Sequence, residues 1–156
     1  MSLTIESSSP QWRDNQIFVD ACLSKRIMTG IRMLGWDPIW IGQVYPNEGQ
    51  RVPDLDWIEQ CGMRGIPVLT KNVDIASVRE EFDAVLEHGA RIFALDVQRA
   101  SMFAQMAVIG RHYFNLRSRM KSPAPCFWEL PVFTPPVKRI DGARRPTRRR
   151  RLKRRR

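Results

Sequence analysis

The chain is predicted to fold as an α/β domain with a doubly wound, mostly parallel sheet, and three observations carry that reading. Short apolar runs suited to buried strands alternate with segments of helical period through residues 16–131. The runs QIFVD, GIPVLT and RIFALD end on, or just before, oxygen-bearing polar residues. The length, 156 residues, is that of one domain able to bury roughly two-thirds of its unfolded surface without a disulfide or metal staple.

Each element has its own local reason. QIFVD, residues 16–20, is an apolar run closed by an acid and reads as the first strand. In SKRIMTGIRMLG, Ile27, Ile31 and Leu34 recur at helical spacing, with Ser24 as the expected N-cap and Gly35 as the stop. DPIWIG supplies the second strand, and QVYPNEGQRVP is a polar, turn-rich loop. Residues 54–64 form the next helix and GIPVLT the third strand. In SVREEFDAVLEHGA, Ser77 and Glu80 have capping-box spacing, and Val78, Phe82, Val85 and Leu86 are expected to face inward. RIFALD is the fourth strand. Residues 99–119 are expected to form one long helix packed through Phe103, Met106, Ala107, Gly110 and Phe114, and PCFWELPVF adds a last short strand.

Charge divides the chain. Residues 138–156 hold twelve basic residues and one acid, so a tail at +11 follows a body at −1 within a total of +10. The expected organisation is a flexible segment at 1–15, a folded domain at 16–134 and a disordered Arg-rich tail at 135–156. A tail of this kind is suited to a polyanion, RNA or DNA, through residues such as Arg148, Arg149, Arg150 and Arg151. No apolar face accompanies the charge, so no membrane partner is expected, and a solvated tail without function is the plainer alternative. Cys22, Cys61 and Cys126 lack metal or disulfide spacing, which together with the absence of an apolar signal segment points to a soluble, cytoplasmic protein with reduced thiols. His88 and His112 read as surface or satisfied core residues, and Trp36, Trp40 and Trp57 as core.

In an open parallel sheet, ligands bind beyond the carboxyl ends of the strands. Asp20 follows the first strand, Asn72 and Asp74 the third, and Asp96 closes the fourth. Asp54 opens a helix on the same stripe as Ile58 and Cys61, so it leans toward the sheet, whereas Asp56 should face solvent. Such an edge suits Mg²⁺ or Mn²⁺, hard ions that take oxygen ligands and assist phosphodiester hydrolysis. Lys25, Arg26 and Lys71 flank the edge and are suited to a nucleic-acid backbone. Each residue also has a bland reading: Asp54 as an N-cap, Asn72 and Asp74 as an Asx turn, Asp96 as the cap of the following helix. Asp20 has no obvious capping partner.

IFVDACLSKRI, VPDLDWIEQCGMRGIPVLTKNVDI and RIFALD, taken in order, resemble the PIN-like nuclease domains, and more closely the VapC-type toxins of toxin–antitoxin pairs. The resemblance covers residues 16–131. It implies a three-layer fold, a Mg²⁺- or Mn²⁺-dependent endoribonuclease and a small cognate antitoxin, and it is compatible with a homodimer. By position it implies catalytic roles for Asp20 and Asp54, puts Asn72 where relatives often carry an acid, and matches Asp74 to a second acid. The competing reading is a catalytically weak or inactive RNA-binding module of the same fold. A phosphoacceptor receiver domain expects paired acids after the first strand, and a dehalogenase-type phosphatase expects Asp-x-Asp there; Asp20-Ala21-Cys22 offers neither.

Overall fold

A computed structural model describes residues 15–140, Gln98 excepted. The expectations for residues 1–14, and for the tail from 141 onward with Arg148 to Arg151, lie outside the described residues. In chain order the elements are β1 (Gln16–Val19), α1 (Ile27–Met33), β2 (Asp37–Trp40), α2 (Ile41–Val44), α3 (Asp54–Arg64), β3 (Val68–Thr70), α4 (Arg79–His88), β4 (Arg91–Asp96), α5 (Met102–Arg111), α6 (Tyr113–Arg119), β5 (Cys126–Pro131) and β6 (Val137–Ile140). Short 3₁₀ turns at Asn47–Gly49 and Val73–Ala76 precede α3 and α4.

The strands form one sheet in the order β2-β1-β3-β4-β5-β6, parallel except for β6, which runs antiparallel to β5. The α/β class and the mostly parallel sheet are therefore as expected. β1, β3 and β4 are apolar along nearly their whole length because both sheet faces are covered: Ile17, Phe18, Val68, Leu69, Ile92 and Phe93 are fully buried. α1 packs with α5 and α3 with α4, giving the helical layers. α3 and α4 approach closely at Gly62, where a Cβ would lie 2.7 Å from the carbonyl oxygen of His88.

Several local expectations give way to tertiary context. Ser24 opens the turn ahead of α1, and the helix itself starts at Ile27. Ile41 and Gly42 leave the predicted strand and begin α2, whose entry is tied by the Gln43 side chain accepting the Trp40 N–H. Ser77 forms no capping box, because its backbone N–H and that of Val78 both go to the Asp74 carbonyl, and Val78 is exposed. The long helix breaks at His112, with Ser101 capping α5. Its buried stripe is Gln105, Val108, Ile109, His112 and Leu116, while Phe103 and Phe114 are 73% and 82% exposed. β6 falls inside the segment expected to be disordered: Ile140 is buried, and Arg139 pairs with Glu129 across the β5–β6 ladder at 2.8 Å. The folded body thus extends beyond residue 134.

Candidate active site

The sheet changes direction at β1: the chain moves from β1 outward to β2, then returns past β1 to β3. The carboxyl ends of β1 and β3 therefore feed loops that diverge, leaving a crevice at the switch point. An open pocket of about 420 Å³ lies there, lined by Asp20 and Cys22 after β1, by Arg51 and Asp54 before and at the start of α3, and by Lys71, Asn72 and Asp74 after β3.

Asp20 is only 6% exposed and is held from three sides. The Ala21 N–H donates to Oδ1 at 2.7 Å, and the Thr70 hydroxyl and the Cys22 thiol donate to Oδ2 at 2.9 and 3.1 Å. Those two donors are themselves fixed, since Lys71 N–H donates to Cys22 Sγ and Asn72 N–H to Thr70 Oγ1. The chain end of β3 thereby orients the acid of β1. Burial, the largest influence, raises the Asp20 carboxyl above its ordinary range; the Cys22 and Thr70 hydrogen bonds oppose it, and nearby Asp54 adds to the rise. The Cys22 thiol is pushed up to about 12, again by burial first and by the Asp20 charge second, so it stays protonated and donates a hydrogen bond to Asp20.

Asp54 opens α3 but caps nothing. Its Oδ1 accepts the Trp57 indole N–H at 3.1 Å, and its Oδ2 accepts the Asn72 side-chain N–H at 2.7 Å. Trp57 is fully buried and stacks on Phe18 of β1, so the core fixes the first turn of α3 against the strand that delivers Asp20. Helical phase correctly separates Asp54 from Asp56, which does not line the pocket. Asn72 makes the Asx turn of its bland reading and also reaches Asp54. Its carbonyl accepts the Asp74 N–H at 3.1 Å in an Asx turn, and its amide faces Asp54, not Asp20. It thus donates a hydrogen bond to Asp54 where an ionised acid would repel it.

Asp96 stands apart from these residues: it is exposed, in register with Pro131 and outside the pocket lining, and Ser101, not Asp96, caps the following helix. The physical reason is strand order, because β3 separates β4 from β1. Lys25 and Arg26 are exposed in the turn ahead of α1 and do not line the pocket, whereas Lys71 does.

Sequence reasoning missed Cys22, Thr70, Arg51 and Glu81. Glu81, in the first turn of α4, has a carboxylate oxygen, Oε2, that is buried without a hydrogen-bond partner. Burial raises this acid most, followed by the charges of Asp54 and Asp74. The doublet Glu80-Glu81 is visible in the sequence, but capping-box spacing points to Glu80 and leaves its neighbour unremarked.

The donors suit a hard divalent cation. All the carboxylate ligands on offer are oxygens, Asp54 repels both Asp20 and Glu81, and one Glu81 oxygen lacks a partner. Among the described residues, no group of three or more His, Cys, Asp or Glu side chains is gathered closely enough to hold a metal ion by itself. Mg²⁺ is commonly held by only one or two carboxylates, with waters completing its shell. No helix among the described residues is long and apolar enough to cross a membrane.

A family model described as a PIN like domain matches residues 16–97. The matched span opens with β1, closes one residue after β4, and contains every pocket residue named above. No curated protein and no solved structure matches the chain.

Proposed function

The chain belongs to the PIN-like domain family, and on that premise we propose that it is a divalent-metal-dependent endoribonuclease whose centre is the Asp20–Asp54 pair. The observation that carries the reading is the convergence of two carboxylates, from the end of β1 and the start of α3, on one pocket at the sheet's switch point with Lys71 on its rim. Asp20 and Asp54 would hold a Mg²⁺ or Mn²⁺ ion, with Asp74 and Glu81 adding negative charge around it. The ion, when bound, supplies an activated water and neutralises charge developing on a phosphoryl group. Thr70 and Cys22 keep the Asp20 carboxylate in one orientation. Trp57 and Asn72 do the same for Asp54. Lys71 meets the strand's phosphates, fixing its register without reading its bases. The test is cleavage of single-stranded RNA with Mg²⁺ or Mn²⁺, abolished by EDTA and by Asp20→Asn.

The narrower reading, a toxin of a type II pair restrained by a small cognate antitoxin, rests on the resemblance to VapC-type toxins. Its test is expression in a bacterial host. Growth arrest by the intact chain, relieved by Asp20→Asn and by a co-expressed small partner, supports it; normal growth with active enzyme present removes it.

A second reading is favoured by one observation, the Asn72 amide held on Asp54 where relatives often place an acid. Under that reading the domain binds RNA without cutting it. RNA binding that survives with no cleavage at any divalent concentration selects this alternative.

The tail gives a separate prediction. β6 is antiparallel to β5, with Ile140 opposite Phe127 near the start of β5, so the chain leaves the sheet at the edge remote from the pocket. Residues 141–156 carry ten basic residues and one acid, +9 in all. Truncation after Ile140 is expected to weaken RNA binding and flatten its salt dependence, by up to about 0.7 in log–log slope for each phosphate that the tail neutralises. The maximal cleavage rate and the thermal midpoint should stay at wild-type values, because β6 is retained. Unchanged affinity and slope would mean that the tail takes no part in recognition.

A further inference from the structure

One charged pocket residue has no role in the nuclease reading. Arg51 stands on the loop between α2 and α3 and lines the same pocket as Asp20, Asp54 and Asp74. Among the described residues it makes no hydrogen bond or ion pair, although three acids line that pocket. A guanidinium flanked by carboxylates ordinarily closes on one of them. Here the side chain is exposed and closes on none of them, and it stands on a loop of unusual backbone.

That backbone is strained. Asn47, Glu48 and Arg51 have φ of 55°, 54° and 63°, a left-handed region that residues with a Cβ enter at a cost, and Gly49 at 74° completes the series. The loop is anchored on the core at Gly49. Gly49 is buried, and a Cβ there would come within 2.5 Å of the Ile41 side chain, which is itself in the core. Tyr45, on the near side of the loop, is also buried. Backbone strain persists where the surrounding packing over-determines it, and such positions gather at ligand clamps.

Arg51 and Lys71 reach the pocket from different loops, one before α3 and the other after β3. We propose that the strained loop holds Arg51 as a clamp for a backbone phosphate of a nucleic-acid strand lying across the carboxylate pair. The proposal rests on the nuclease reading and adds to it the residue that seats the strand. A phosphate is the anion that fits, because the planar guanidinium fork matches two phosphate oxygens, and a strand entering an acidic pocket needs fixed positive charge to be held there.

The test uses the full chain in EDTA, so that nothing is cleaved, and a fluorescein-labelled single-stranded RNA of six bases. Binding is followed by fluorescence anisotropy over a series of salt concentrations. Arg51→Gly should lower affinity about tenfold, the scale of removing one charged hydrogen bond. It should also reduce the log–log salt slope by about 0.7, the value for one phosphate on a single strand. Its thermal midpoint should equal or exceed the wild-type value, because glycine enters the left-handed region freely. Arg51→Lys should keep the slope and lose part of the affinity, since a point charge replaces the fork. Wild-type affinity and slope in Arg51→Gly would overturn the clamp. So would a binding loss matched by a lowered thermal midpoint, which would make Arg51 a structural residue. Mn²⁺-dependent cleavage by the wild type, measured in parallel, separates the two levels. Cleavage with unchanged Arg51→Gly binding rejects the clamp alone, whereas a wild type that neither binds nor cleaves rejects the nuclease reading with it.

Discussion

Asp20→Asn is expected to reduce divalent-dependent RNA cleavage by at least about 10²–10³-fold, the scale of losing one preorganised electrostatic group, while making the metal-free protein more stable at neutral pH. Both effects follow from burial. The Asp20 carboxyl is nearly inaccessible, and its proton affinity is raised above the ordinary value of 3.8. The folded state therefore holds the proton more tightly than the unfolded chain does. Stability is highest with the carboxyl protonated, falls as pH rises from 3.8 through the raised folded value, and stays low above it. Asparagine is neutral throughout and escapes that loss. It still offers Oδ1 to the Ala21 N–H and can donate to Thr70 Oγ1, so the local frame persists. Thermal midpoints measured in EDTA should show the variant above the wild type at pH 7 and the difference closing as pH drops below 3.8. A variant less stable than the wild type at pH 7 would mean that the buried carboxylate is an asset to the fold without any cation.

Asn72→Asp should act in the opposite sense on the apoprotein. The Asn72 amide donates to Asp54 Oδ2 at 2.7 Å, and an aspartate there removes the donor and sets two carboxylates face to face. The Asx turn survives, because aspartate also accepts the Asp74 N–H. The expected cost without metal is about 1–2 kcal/mol, that of removing a charged hydrogen bond at a half-exposed position. With Mn²⁺ the sign reverses: a hard cation gains more from a charged oxygen than from an amide, so affinity should rise about tenfold or more, and cleavage at limiting metal with it. Calorimetric titration of both proteins with Mn²⁺, and thermal midpoints with and without it, read the two halves separately. Equal apo stability and equal metal affinity would leave Asn72 a turn residue with no bearing on the centre.

How far the residues foretell this arrangement depends on whether the deciding interaction is local. RIFALD predicts β4, and one apolar stripe predicts α3, with the bounds that the structure shows. In both, the pattern that names the element is also what buries it. The α5–α6 segment misleads because its core-facing stripe contains Gln105 and His112. Their partners are remote: Gln105 Oε1 accepts the Ser24 N–H, and the His112 ring reaches the Pro131 carbonyl at 2.7 Å. Nothing near either residue in sequence announces that its polarity is satisfied, so two exposed phenylalanines stand in their place in the expected stripe. β6 is hidden for another reason, since an edge strand tolerates Lys138 and Arg139 and so looks like tail. In the site, Asp20 and Asp54 can be placed by strand end and helical phase. Cys22 and Thr70 cannot, because their roles exist only once β1 and β3 are paired. Asp96 obeys the strand-end rule and still falls outside, for the rule does not say which strands are neighbours.

The most direct measurement is a double-mutant cycle on RNA cleavage with the full chain, Mn²⁺ present, comparing wild type, Asp20→Asn, Asp54→Asn and the combined variant. If the two carboxylates serve one metal-dependent centre, the wild type cleaves, each single change removes nearly all of that activity, and the combined change removes little more than either alone. Full activity in either single variant, or losses that multiply in the combined one as for independent sites, would contradict a shared centre.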